Sequence, residues 1–315
     1  MLDLQRIDCL GEALYDALVC YKTNPALIEA NRKRESARYS FSELRVEAER
    51  IASFLQASGL KPGDRCAIVM SNQSRWVING LAALWAGAVL VPLDYKLTAA
   101  EQGALIEHAR PKALLTEYPV WRGLSGALGE SAAECTVVVS EIPDKQTSEG
   151  VVRWEQIEAG DFTLQPRGRQ DVACIVYSSG TGGRPKGCML SHENYLEQAQ
   201  SLGSLYGMEE SDRYFSILPT NHAIDFMCGF LMPLLFGAAV VHQRTLRPEF
   251  LLPTMKRYGV THMSLVPRIL QALEDKLRDQ LDELPNWQRA FLDGLVQVNG
   301  ALTRRGPDHR VSRNL

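Results

Sequence analysis

The tightest constraint on this chain is the stretch Tyr177-Ser178-Ser179-Gly180-Thr181-Gly182-Gly183-Arg184-Pro185-Lys186-Gly187, which follows the apolar run Val172 to Val176. A short apolar run of this kind reads as a buried strand. Asn194 to Tyr206, beyond the stretch, reads as a helix. So a strand leaves the core, a loop crosses open space, and a helix begins on the far side. The loop holds the hydroxyls of Ser178, Ser179 and Thr181, four glycines and Lys186. Glycines let successive backbone N–H groups turn toward one point because no Cβ blocks them, and such a concavity attracts phosphate oxygens. The hydroxyls add donors and Lys186 a point charge. Polyphosphate binding is the expectation. Two commoner phosphate motifs do not fit. The Walker pattern ends in Gly-Lys-Ser/Thr, whereas here Pro185 precedes Lys186 and Gly187 follows it. The dinucleotide fingerprint needs a third Gly where Pro185 stands.

Around this loop, strand and helix patterns alternate. Residues 1–24 read as helical, Pro25 to Ala30 and Arg38 to Ser40 as a strand pair, and Ser40-Phe-Ser-Glu43 as a capping box opening a helix that Gly59 can end. Strand patterns at 66–70, 89–91, 112–115 and 136–139 alternate with helical ones at 74–85 and 99–108. Such alternation implies mostly parallel sheets with helices on both faces. Trp154 to Gly168 reads as a surface connection, and His192 as a solvated residue starting a helix. Tyr214 to Leu218 is a strand ended by Pro219. A helix over 226–236, a strand over 238–242, a helix over 248–258, a strand over 261–265 and a helix from Pro267 to Leu277 follow. Asp225 reads as a cap for the helix after it. Leu281 to Leu302 is amphipathic, with Trp287, Phe291, Leu292, Leu295 and Val298 on one face.

Composition narrows the class. The 315 residues carry 34 Lys and Arg against 37 Asp and Glu, so nothing electrostatic favours a nucleic-acid partner. The seven cysteines lack CxxC spacing, which suits buried thiols in a reducing cytoplasm better than disulfides or a metal site. Met1 to Leu14 carries Asp3, Arg6, Asp8 and Glu12, so it has no signal-peptide core. The uncharged run Phe226 to Val241 is shorter than the roughly 20 residues of a spanning helix. Peripheral membrane contact and a homodimer stay open.

The ordered loop resembles the AMP-binding signature of the adenylate-forming superfamily, Tyr-Thr/Ser-Ser-Gly-Thr-Thr/Ser-Gly-x-Pro-Lys-Gly. One departure is Gly182, where the family usually has a hydroxyl residue. Two further segments resemble family blocks: Gly80 to Leu93, which reads as core, and Pro219-Thr220-Asn221-His222, which matches the family's Pro-x-x-His placement. The resemblance implies the large N-terminal domain of the adenylate-forming fold, truncated. Residues 57–205 would form a first α/β subdomain carrying the phosphate loop. Residues 1–56 with 206–315 would form a second, incomplete one, and the C-terminal lid domain would be absent.

The activity implied is that of an acid–thiol ligase: ATP activates a carboxylic acid to acyl-AMP, and CoA then displaces AMP. Ser178, Ser179, Gly180, Thr181, Gly182, Gly183 and Lys186 would bind ATP, and His222 would act with Lys186 in adenylation. Mg2+ would bridge phosphates, with its protein ligand lying beyond Leu315. The helical segment 281–302 resembles an insertion of long-chain acyl-CoA synthetases and points to a long-chain fatty acid. Two alternatives stay open: an acyl-AMP ligase serving a carrier protein, and a noncatalytic nucleotide- or acyl-binding homologue. Residues 1–315 alone are expected to fold but not to catalyse.

Overall fold

The computed structural model describes residues 3–128, 134–146, 149–178 and 186–303. The chain divides into two compact units, 1–264 and 265–315.

The first unit opens with α1 (Leu10–Tyr21), β1 (Pro25–Asn31), β2 (Arg34–Ser40) and α2 (Phe41–Ala57). An alternating series follows: β3 (Arg65–Val69), α3 (Ser74–Trp85), β4 (Val89–Pro92), α4 (Ala99–Ala109), β5 (Ala113–Glu117), α5 (Tyr118–Leu124), β6 (Thr136–Ser140), β7 (Val152–Arg153) and β8 (Val172–Ser178). Next come β9 (Lys186–Ser191), α6 (His192–Tyr206), β10 (Arg213–Ser216) and α7 (Ala223–Asp225). A π-helical turn (Phe226–Leu231) joins α7 to α8 (Met232–Phe236), and β11 (Ala239–Gln243), α9 (Pro248–Tyr258) and β12 (His262–Met263) complete the unit.

The strands make two sheets. One has the order β7-β6-β5-β3-β4-β8-β9 and is parallel except for β9. The other has the order β12-β10-β11-β1-β2 and is parallel except for β2. This is the expected mostly parallel α/β class with helices on both faces. The main core gathers apolar residues of α1, α2 and α3 with the inner faces of both sheets, and a smaller core lies under α4 and α5. α3 packs against strands of both sheets. Its side chains are buried nearly all round, as a helix without a solvent face must be. Small residues allow the close approach: a Cβ at Gly11 of α1 would lie 2.9 Å from the Leu84 carbonyl oxygen of α3. Both bonds of the expected capping box at Ser40 and Glu43 are present, and Thr98 and Glu101 repeat the device at α4.

Three local expectations fail for tertiary reasons. Only Leu10–Tyr21 of the first 24 residues is helical; the preceding segment is irregular, and Leu4 and Ile7 are buried in the core. The connection 154–168 is only in part a surface excursion, because Trp154 and Ile157 anchor its start in the core. Trp154 is buried, donates Nε1–H to Asn79 Oδ1 at 2.9 Å and lies under the Arg50 guanidinium at 4.4 Å. And the chain does not pass straight from the phosphate loop into a helix: it returns as β9, antiparallel to β8.

The second unit holds α10 (Pro267–Asp282) and α11 (Asn286–Thr303). Pro267 occupies the first turn of α10, where its missing N–H costs nothing. On α11, Trp287, Phe291, Leu292 and Leu295 are exposed; the side chain of Val298 lies outside the described residues. Among the described residues no helix is long and apolar enough to cross a membrane.

Replacing Trp154 by Ala removes a buried ring and leaves the Asn79 acceptor unpaired. Large aromatic truncations cost about 3–5 kcal/mol, so urea denaturation of Trp154→Ala should show a loss of that order. A loss below about 1 kcal/mol, the scale of surface substitutions, would place the ring outside the core.

Candidate functional site

Side chains just beyond the carboxyl ends of the parallel strands bridge the two sheets. Arg244, after β11, reaches Glu141 at 2.8 Å, Glu117 at 3.3 Å and Glu29 at 3.6 Å. Glu29 is buried; burial pushes its carboxyl up, but Ser74 N–H and Oγ–H and the Arg244 charge outweigh this and hold it below the usual range. His242 beside it is fully buried and its pKa falls to about 4, because burial disfavours the imidazolium. Asn72, after β3, donates to Ser216 Oγ at 3.2 Å and to the Leu218 carbonyl, and accepts from Thr220 N–H at 3.0 Å. A narrow cleft with a cavity of about 20 Å³, lined by Ser71, Asn72, Tyr95, Lys96, Pro219 and Arg244 among others, lies between the carboxyl ends of the two sheets, the usual ligand position in open α/β folds.

The phosphate hairpin rises from one wall of this cleft. Ser178 and Lys186 face each other as the last pair of β8 and β9, and both are exposed. Ser179, Gly180, Thr181, Gly182 and Gly183 lie outside the described residues. The hairpin base is tightly fitted. A Cβ at Gly187 would lie 2.9 Å from Ile175 Cγ2 and 3.5 Å from Tyr177 Cε1, so glycine is required there by packing. Tyr177 Oη meets His108 Nδ1 of α4 at 2.7 Å, tying the base to the helix beside it.

His222 stands at the entrance to α7, with its side chain 61% exposed. Its N–H donates to the Pro219 carbonyl at 3.0 Å, and its own carbonyl accepts from Phe226 N–H at 2.9 Å. Its Nε2 lies 3.8 Å from Asp94 Oδ2. Asp94 follows β4, and β4 is the parallel neighbour of β8. Asp94 and the hairpin mouth are therefore at the ends of adjoining strands, and His222, which follows β10 of the other sheet, meets the first of them.

Two residues of this region were not singled out as site residues from the sequence. Asn72 makes contacts with residues 144 to 148 positions away, which no local pattern signals. Asp225 does not cap the following turn. It is buried and accepts from Ser216 Oγ at 2.8 Å, Thr220 Oγ1 at 3.0 Å and Tyr214 Oη at 3.4 Å. Burial raises its pKa to about 7 despite these hydrogen bonds. The signal was there, a lone acid heading the apolar run 226–236. His192 also differs from expectation: it is buried, and its Nδ1 accepts from Leu10 N–H at 3.2 Å. Burial lowers its pKa to about 4.

Beside α7 an apolar cavity of about 300 Å³ is lined by Tyr206, Met208, Ile224, Cys228, Met232 and Met263, among others. Among the described residues no cluster of His, Cys, Asp or Glu side chains could hold a metal ion, so none of them is assigned to Mg2+.

Fold and geometry together define an α/β domain of two mostly parallel sheets tied to each other at their carboxyl ends. The chain belongs to the AMP-binding enzyme family, whose model matches residues 16–301. It is 32% identical over 257 residues to 2-succinylbenzoate–CoA ligase of Bacillus licheniformis, covering 81% of this chain and 49% of that protein. In structure it resembles a fatty acyl CoA synthetase of Mycobacterium tuberculosis (TM-score 0.72, 20% identity, 84% of this chain and 50% of that one). It also resembles the fatty acyl-adenylate ligase of L. pneumophila in complex with acyl adenylate and pyrophosphate (TM-score 0.70, 20% identity, 84% and 45%). The chain spans about half the length of the curated relatives it matches.

The raised pKa of Asp225 sets a direction for stability against pH. Its folded value of about 7 exceeds the ordinary 3.8, so the folded state holds the proton more tightly. The stability this contributes is complete below about pH 4 and is lost as pH rises through about 7. Asp225→Asn removes that loss. Melting curves between about pH 4 and pH 8 should show the variant gaining on wild type as pH rises; a difference independent of pH would contradict the assignment.

Proposed function

We propose that this chain supplies the phosphate- and acyl-binding part of an ATP-dependent acid–thiol ligase. The observation that carries the reading is the pairing of Ser178 with Lys186 at the end of β8, beside the strand whose Asp94 meets His222. In the first half-reaction a carboxylate oxygen attacks the α-phosphorus of ATP. The bond from that phosphorus to the bridging oxygen breaks, and pyrophosphate leaves with the electron pair. The reactants are all anionic, so catalysis consists largely of positioning them and offsetting their charge. The hairpin with Lys186 is proposed to hold the β- and γ-phosphates, and His222 to donate to the acyl carboxylate or the α-phosphate. In the second half-reaction the CoA sulfur attacks the acyl carbon, AMP leaves, and the thiol proton goes to solvent.

The acid is proposed to be a long-chain fatty acid. The apolar cavity beside α7 and the amphipathic helix α11 support that reading. The identity to 2-succinylbenzoate–CoA ligase favours a second one, an aromatic acid. Acid-dependent pyrophosphate release by the full-length protein, run over fatty and aromatic acids, decides between them. Adding CoA or a carrier protein then identifies the acceptor. No release with any acid would leave a binding protein.

Losing a charge-assisted phosphate contact costs about 1.5–3 kcal/mol. Lys186→Ala should therefore slow pyrophosphate release roughly 10- to 150-fold. An unchanged rate would remove Lys186 from the site. His222→Ala should impair acyl-AMP formation, while synthetic acyl-AMP restores most thioester formation; equal loss in both halves, in a variant with an unaltered melting curve, would contradict a role confined to adenylation.

A further inference from the structure

We propose that Asp225 and Asn72 are positioning residues that hold the His222 imidazole in place by gripping the segment Pro219–His222 from its two sides. This rests on the adenylation reading of His222. Asn72 grips the segment from the β3–α3 turn, through the Leu218 carbonyl and the Thr220 N–H. Asp225 grips it from the helix side, through the Thr220 hydroxyl, and fixes that hydroxyl to Ser216 and Tyr214 of β10. Thr220 is thus held on both its backbone and its side chain, two residues before His222. The imidazole itself is exposed and, among the described residues, meets only Asp94, at 3.8 Å, so its direction depends on the backbone beneath it.

The chemistry of the grip is costly, which argues that it serves a purpose beyond packing. Among the described residues no cation pairs with Asp225, and a buried carboxylate without one is expensive to keep. The chain is also shaped around it. The Asp225 carboxyl sits directly over Gly229: a Cβ there would fall 2.5 Å from Oδ1 and 2.7 Å from Oδ2. Gly229 lies in the π-helical turn, a distortion frequent at functional sites. The turn and its glycine make room for the carboxyl, and the carboxyl orders the segment bearing His222.

The test is a double-mutant cycle in the full-length protein, read by acid-dependent exchange between pyrophosphate and ATP. Misplacement by about 1 Å can cost 100-fold in rate, so Asp225→Asn should lower kcat of exchange about 10- to 100-fold with little change in KM for ATP. Thioester formation from synthetic acyl-AMP should hold. In a His222→Ala background Asp225→Asn should cost less than about 3-fold more, since residues acting through one another are not additive. Asn72→Ala should behave the same way, and it serves as the cycle if Asp225→Asn fails to fold. Gly229→Ala, which displaces the carboxyl without removing it, should reproduce the Asp225 defect. The inference is overturned if the Asp225 or Asn72 variant leaves exchange unaltered, or costs the same factor with and without His222. If His222→Ala alone leaves exchange unchanged, the role of His222 fails, and this inference with it.

Discussion

Everything in the first unit depends on how the two sheets are joined at their carboxyl ends. Arg244 is the central tie: one guanidinium just after β11 of one sheet reaches the carboxylates that end β5 and follow β6 of the other, and Glu29 of its own. Arg75 extends the network from α3 to Glu141 at 2.9 Å and Glu155 at 3.2 Å. Partly buried ion networks of this kind contribute little net stability, because desolvation offsets most of the attraction. What this one supplies is geometry. Apolar packing of α1, α2 and α3 brings the sheets together without specifying their orientation closely. Directional contacts of Arg244 and Asn72 then settle which strand ends face each other across the cleft.

With that frame in place, the groups proposed to act on ATP and the acid can sit on short loops. Ser178 and Lys186 project from one sheet, His222 from the segment after β10 of the other, and Asp94 meets His222 from the first. A site assembled from both sheets would suit the proposed reaction, which must bring two anions together, because each wall can hold one of them.

Where local chemistry decided the structure, the sequence was enough to read it. α3 and α9 run from Ser74 to Trp85 and from Pro248 to Tyr258, the limits read from the sequence. The capping box at Ser40 was legible for the same reason, since cap chemistry is written in adjacent residues. β9 was not. Lys186 to Ser191 mixes polar and apolar residues, and only its pairing with β8 makes it a strand. The burial of His192 depends on an N–H 182 residues away. Asn72 and Asp225 escaped as site residues because their role is to hold a segment, and such a role appears only once that segment is folded against them.

The central claim is that the cleft between the sheet ends is an adenylation site. A crystal structure of the full-length protein with a non-hydrolysable acyl-adenylate, its phosphate replaced by a sulfamate, tests it most directly. The account predicts the sulfamate in the cleft, with a hydrogen bond of about 3 Å from His222, the hairpin of Ser178 and Lys186 closed toward it, and the acyl chain entering the cavity beside α7. An adenylate bound away from the carboxyl ends of β4, β8 and β10, or one that leaves His222 in open solvent, would contradict it.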